Sequence, residues 1–245
     1  MKKQNIVGYG LGERVPILAD LIQENTNFKL IGFVDDLGSN IRFKKDEYKV
    51  IGKSKDLKKI LKKYSKNIFL GFAGIKNTSR FRSSYKKFKK IGFKFPNLIH
   101  KKSFVSKSAT LGDAVQICAR VIVNPKAVIG NNVILNAGCV IEHDCIIEDN
   151  VQIGSGAVLG GFVTVKKNSF IGLGTRVING ITIGEKSIIG AGSVVINRFP
   201  KNSVRSIIQV PFELPACTIG ILKFILNYFL MVNNIIILSL AETYS

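Results

Sequence analysis

The chain holds two histidines, and one of them sits among groups that could put it to work. His143 lies in Ile141-Glu142-His143-Asp144-Cys145. An imidazole takes up a proton near neutral pH, and a neighbouring carboxylate can orient the ring and stabilise the imidazolium. The stretch is therefore a candidate general base. Either flanking carboxylate, Glu142 or Asp144, could serve it. The same residues also suit a solvated corner histidine with no chemistry. His100, in Asn97-Leu98-Ile99-His100, reads as structural. A zinc site of three histidines needs more imidazoles than the chain owns, so no metal is expected.

A strict repeat must position His143. Every sixth residue from Ile99 to Val195 is Ile, Leu or Val, with no failure and no insertion. That period suits neither a helix nor an alternating strand, and it marks a repeat architecture. Six residues make one flat side of a triangular coil, and three sides complete a turn. The run amounts to five to six coils. The aliphatic residue points inward and stacks on its equivalent a coil away. Four residues later comes a second inward position, running from Ser103 to Phe199 and mostly small or β-branched. Glycine often follows the aliphatic residue, as at Gly154, Gly172, Gly184 and Gly190, and Asn or Gly is common just beyond. These types are expected to supply the left-handed backbone of the corners. His143, two places after Ile141, falls on a corner.

Residues 1–95 alternate strand and helix signals. Strands are expected at Gln4–Val7, Lys29–Val34 and Asn67–Ala73. Helices are expected at Glu13–Gln23, at Lys55–Tyr64 after a cap at Ser54, and at Thr78–Ile91. The order implies a small parallel sheet of Rossmann-like type. Its first strand runs into Gly8-Tyr9-Gly10-Leu11-Gly12, where glycines between strand and helix let a phosphate approach a helix N-terminus. The spacing departs from Gly-x-Gly-x-x-Gly because residue 13 is Glu, so the motif alone is weak. The second strand ends at Asp35-Asp36, whose carboxylates could accept hydrogen bonds from a ribose or a base. A tight turn is the structural alternative.

Charge is uneven. Residues 1–105 carry 25 Lys and Arg against 8 Asp and Glu, while the remainder carries 11 against 8. The basic half suits solvated lysines, or steering of phosphorylated small molecules. No nucleic-acid motif accompanies it. Cys118, Cys139, Cys145 and Cys217 form no Cys-x-x-Cys pair, and two of them fall at small inward positions. Reduced thiols, no disulfide and a cytoplasmic location are expected. Met1-Lys2-Lys3 leads into a strand and not a signal-peptide core, so export is not expected.

Residues 206–245 form an atypical hydrophobic tail. Cys217–Leu240 is long enough to span a bilayer, but Lys223, Asn227, Asn233 and Asn234 interrupt it. A membrane-associated tail, a packed helix and a frame-shifted end all remain open. The expected organisation is an α/β domain at 1–97, the repeat domain at 98–205 and the tail.

The sequence of parts narrows the field further. Gly8-Tyr9-Gly10-Leu11-Gly12, then Gly32-Phe33-Val34-Asp35-Asp36, then Leu98-Ile99-His100, then the hexads resembles the sugar O-acyltransferase family. That family includes sialic acid acetyltransferases and bacterial N-acetyltransferases of UDP-4-amino-sugars. The resemblance covers roughly residues 4–205. It implies a left-handed parallel β-helix after the α/β domain, and a homotrimer with sites between neighbouring β-helices. It implies acetyl-CoA as cosubstrate and a nucleotide-activated or sialic-type sugar as acceptor, in surface glycan biosynthesis. Carried across, His143 is the base and Asp144 its partner. The Gly161 N–H, in Leu159-Gly160-Gly161-Phe162, faces the thioester carbonyl. Gly172, Gly190 and Ala191, with Gln152, attend the coenzyme. Gly8, Gly10, Gly12, Asp35 and Asp36 attend the sugar nucleotide. Two residues depart from the pattern: many relatives have histidine where Gly12 stands, and some have histidine where Gln152 stands. A catalytically impaired β-helical scaffold or sugar-nucleotide-binding protein is the non-enzymatic alternative.

Overall fold

The computed structural model describes residues 3–24, 27–36, 48–73 and 78–205. The apolar tail and Cys217 lie outside the described residues.

The N-terminal part is built on a parallel sheet. Its strands are β1 (Gln4–Tyr9), β2 (Phe28–Val34), β3 (Val50–Gly52) and β4 (Asn67–Leu70), in the order β3-β2-β1-β4. Helix α1 (Val15–Glu24) joins β1 to β2, α2 (Leu57–Lys63) precedes β4 and α3 (Thr78–Ile91) follows it. Val15, Leu18, Leu21 and Ile22 recur at helical spacing and bury one face of α1. Ile6, Val7, Phe33, Val34, Ile68 and Leu70 are buried along the strands, as a parallel sheet with both faces covered requires.

Several local expectations are corrected. β3 is a strand the sequence reading missed. It is three residues long, and its pairing of Val50 with Phe33 recruits it without any period of its own. β1 continues to Tyr9, so Gly8 is a strand residue and not part of the loop. β4 stops at Leu70. The helix expected at Lys55–Tyr64 begins only at Leu57, after a 3-10 turn at Ser54–Asp56. Ser54 does not cap it; the Ser54 amide and hydroxyl both donate to Asp36.

From Leu98 onward the chain is a stack of two-residue strands in three parallel sheets. Up to the final coil each strand pairs with one 18 residues ahead, as Val128 with Ile146 and Ile129 with Ile147. The aliphatic ladder is buried from Ile117 to Val195, and the small ladder beside it from Val115. Each such aliphatic side chain contributes about 1.5–3 kcal/mol on burial. The architecture is the expected one, an α/β part followed by a left-handed parallel β-helix.

The corners differ from expectation in one respect. The left-handed residue stands three places after each aliphatic residue, at every sixth position from Ala114 to Gly192. The glycine directly after the aliphatic residue is not left-handed. It answers to close stacking of the coils: a Cβ on Gly154 would lie 2.6 Å from the carbonyl carbon of Gly172, and one on Gly172 would lie 2.5 Å from the amide nitrogen of Ala191. The final coil is also two residues short. Ile188 pairs with Val204, and Phe199 bridges to Ile183. Phe199 therefore takes an aliphatic place, not the small inward place that the hexad count predicts.

The outer face of the seven-stranded sheet buries Leu98, Gln116, Ile134 and Gln152. The α/β part packs there, with Ala114 and Ile134 in one cluster with Val7 and Phe93, and Leu98 in another with Ile6 and Leu18. The other two faces leave apolar side chains exposed, among them Phe104, Ile122, Val128 and Ile146.

Candidate active site

His143 and Asp144 sit on one edge of the triangular coil, between the strands Val140–Ile141 and Ile146–Ile147. Asp144 is the left-handed corner residue, with φ of +56°. Its amide N–H donates to Pro125 O at 3.1 Å, which ties the corner to the coil below. That backbone turns the carboxylate back onto its neighbour, so that His143 Nδ1–H donates to Asp144 Oδ2 at 2.9 Å. The tautomer that makes this bond leaves the Nε2 lone pair free to accept a proton. The imidazole is 47% exposed, accessible to a reacting group. Glu142 is engaged elsewhere: its Oε2 accepts from Asn124 Nδ2 at 3.0 Å. The structure thus pairs Asp144 with the histidine.

Gly161 lies one coil along the same edge. A Cβ there would stand 2.7 Å from His143 Nε2 and 2.8 Å from Cε1. The imidazole occupies the space that any side chain at 161 would need. The amide of Phe162 donates to His143 O at 3.1 Å, and its ring meets the imidazole edge-on at 5.1 Å between centroids. The Gly161 N–H donates to no carbonyl of the described residues, and the residue is buried beneath the imidazole. Other corner amides also donate to no carbonyl; the imidazole beside it sets Gly161 apart.

Among the described residues Cys145 is the one thiol next to this edge, and it is no nucleophile. Its side chain points inward, the thiol donates to Gly160 O at 3.1 Å, and burial pushes its pKa up to about 11. Burial pushes the Cys139 thiol up as well.

The other coenzyme residues expected from the sequence lie apart. Gly172, Gly190 and Ala191 line a different edge, reached from His143 across the strands Val140–Ile141 and Val158–Leu159. Gln152 is buried on the outer face of the sheet that carries the α/β part. His100 is buried, its Nδ1 accepting from the Lys102 amide at 3.0 Å, the structural role expected of it.

The glycine loop lies where the sheet order reverses, at the carboxyl ends of β1 and β4, the place where open α/β sheets take ligands. Gly10 has φ of +80° and donates its N–H to Val34 O at 2.8 Å. Gly10 and Gly12 both press on Phe72, at 2.7 and 2.8 Å from where a Cβ would stand. The Arg80 guanidinium lies over the same Phe72 ring, 4.6 Å from its centroid. Asp35 accepts from the Leu11 amide at 3.2 Å and so braces the loop. Asp36 accepts from Ser54 and, at 3.4 Å, from the Tyr9 hydroxyl. The hydrogen bonds from Ser54 hold its carboxyl below the usual range. Gly8 is a packing residue, since a Cβ there would strike the rings of Phe33 and Phe69.

The bacterial transferase hexapeptide family (six repeats) matches residues 108–143 and 126–161, the second match ending on Gly161. Residues 108–161 carry the hexapeptide repeats of that family. No curated protein matches it in sequence. Solved structures do resemble it. One is PerB from Caulobacter crescentus in complex with CoA and GDP-perosamine, at 28% identity over 82% of this chain and 92% of that one, with a TM-score of 0.74. A second is the acetyltransferase domain of PglB from Neisseria gonorrhoeae in complex with acetyl coenzyme A, at 26% identity over 83% and 96%, with a TM-score of 0.72. WeeI from Acinetobacter baumannii shares the fold at 20% identity over 82% and 96%, with a TM-score of 0.68.

Sequence reasoning assigns no site role to Ser54, Phe72, Phe162 or Arg80: Ser54 reads as a helix cap, Phe162 only ends the stretch 159–162, and Phe72 and Arg80 belong to no motif.

Proposed function

We propose that this protein moves the acetyl group of acetyl-CoA onto an amino group of a nucleotide-activated sugar, for surface glycan biosynthesis. A hydroxyl acceptor or a sialic-type sugar is the variant of the same reading. The observation that carries it is the oriented His143–Asp144 pair with Gly161, whose amide donates to no carbonyl of the described residues, one coil above. The N-acetyltransferase neighbours favour nitrogen as the attacking atom.

In this reading the acceptor amine attacks the thioester carbonyl carbon. His143 Nε2 takes the proton that the amine sheds, and Asp144 steadies the imidazolium. The carbonyl oxygen, now an oxyanion, accepts from the Gly161 N–H. Collapse re-forms the carbonyl and expels the CoA thiolate, which takes the proton from His143. No covalent acyl-enzyme is formed, in keeping with the buried Cys145. Gly172, Gly190 and Ala191 present a small-residue edge along which an extended pantetheine arm can lie. That edge is not His143's own. A homotrimer sets it against the His143 edge of a neighbour, and the exposed apolar faces supply the contact surface. Gly10, Gly12, Asp35 and Asp36 attend the sugar nucleotide. Among the described residues no helix is long and apolar enough to cross a membrane.

The test mixes purified protein with acetyl-CoA and a panel of amino-sugar nucleotides and sialic acids, reading CoA thiol release. Acceptor-dependent release that falls at least tenfold in His143→Ala is the expected result. Release that survives in the variant removes His143 from the mechanism. A folded trimer that binds a sugar nucleotide but releases no thiol points to the scaffold alternative.

A further inference from the structure

Arg14 stands two residues past Gly12 of the glycine loop and immediately before α1. Its side chain leaves the α/β part altogether. Nη1–H donates to Asn136 Oδ1 at 2.6 Å, and Nη2–H to Gln116 Oε1 at 3.1 Å and Cys118 Sγ at 3.7 Å. Gln116 lies on the buried outer face of the β-helix, and Asn136 on the edge shared with Gly172 and Gly190. The Asn136 side chain is itself held, its Nδ2–H donating to Ile153 O at 2.7 Å.

Stability alone does not select this arrangement. All three acceptors are neutral, and Arg14 forms no ion pair among the described residues. Its Nε–H is buried with no acceptor. A charged group half-buried on these terms is costlier than an apolar side chain of similar volume. The guanidinium does, however, supply a rigid fork that fixes direction as well as distance. The loop is braced on its other side by Asp35 and by Phe72. Arg14 is the brace on the side of the β-helix.

We infer that Arg14 is a positioning residue: by clamping the end of the glycine loop to Gln116 and Asn136, it sets how a nucleotide sugar held by the loop is presented to the acyl-transfer edge. This inference rests on the reading of the loop as the sugar-nucleotide site. A group acting this way bears on the acceptor and on turnover, and leaves the acyl donor alone, because displacing a reactant by an ångström is costly while its partner stays in place.

The experiment measures kcat and both KM values for the full chain, with Arg14→Met, Arg14→Lys, Asn136→Ala and the Arg14→Met/Asn136→Ala double variant. Arg14→Met is expected to raise the nucleotide-sugar KM and lower kcat, by about tenfold together, with the acetyl-CoA KM unchanged. Arg14→Lys, which keeps the charge but loses the fork, is expected to recover part of the loss. Asn136→Ala is expected to cost less in the Arg14→Met background than alone. Unchanged constants in Arg14→Met, additive losses in the double variant, or a fall in all constants that follows the unfolding temperature would each overturn the inference. If Arg14→Met does not fold, the Arg14→Lys and Asn136→Ala constants decide by the same KM split. Wild-type protein that is active while Arg14→Met is unaffected sinks this inference alone; inactive wild type sinks the functional reading with it.

Discussion

His143 and Gly161 are stacked one coil apart on a single edge, with the imidazole filling the place of a side chain at 161. The relationship is reciprocal. The glycine gives the ring its room, and the ring gives an otherwise ordinary corner amide a reactive neighbour. Gly161 is not left-handed, so its backbone accepts any residue. Gly161→Ala should therefore fold normally while its methyl group drives the imidazole aside. Turnover is expected to fall by about a hundredfold, with little change in unfolding temperature. Steady-state assays beside thermal melts check this.

Asp144 has two duties that substitutions separate. Asparagine tolerates left-handed backbone, whereas alanine strains there by roughly 1 kcal/mol. Asp144→Asn should keep the corner and lose the charge that steadies the imidazolium, with turnover down by at least about tenfold. Asp144→Ala should lose both activity and some stability. Denaturant melts distinguish the two variants.

Cys145 should be dispensable for chemistry. With its thiol pushed up to about 11, almost no thiolate exists at neutral pH. Cys145→Ala is expected to retain most activity while costing about 1–2 kcal/mol for the lost contacts. Thiol-directed alkylation of the native protein at pH 7.5 should leave Cys145 unlabelled, as peptide mass mapping would show. Rapid labelling with loss of activity would reopen a covalent route.

Asp36 predicts an acid-side effect. Its carboxyl is held below the ordinary value by Ser54. A carboxyl lowered on folding stabilises the native state above its unfolded pKa, and that contribution is lost as pH falls through the folded value. Ser54→Ala should raise the Asp36 pKa toward the ordinary value and move the acid-unfolding midpoint to higher pH. Carboxyl-resolved NMR titration reads the first effect and circular dichroism against pH the second.

The repeat was legible because its information is local and redundant. Each hexad repeats the same inward residue, so the triangular coil, its core and the corner place of His143 follow from spacing alone. Asp144 was legible as a partner because it is adjacent in the chain. The short strand Val50–Gly52 was not, since it exists only by pairing with Phe33 and Val34. Ser54 looked like a helix cap because Ser, considered locally, favours that place; Asp36 competes for it from 18 residues away.

The amino-acid sequence by itself determined the period of six, the buried ladders, the α/β order before them and the one histidine flanked by acids. Tertiary structure alone decided which carboxylate serves that histidine, that Gly161 makes room for it, and that Gly172 answers to the coil above it. It also decided that the last coil is short and that Arg14 spans to Gln116 and Asn136, 102 and 122 residues on. The physical reason is the range of the interactions. Side-chain periodicity acts over a few residues and is written along the chain, whereas close approach and hydrogen bonding act between groups that meet only when the coils have stacked.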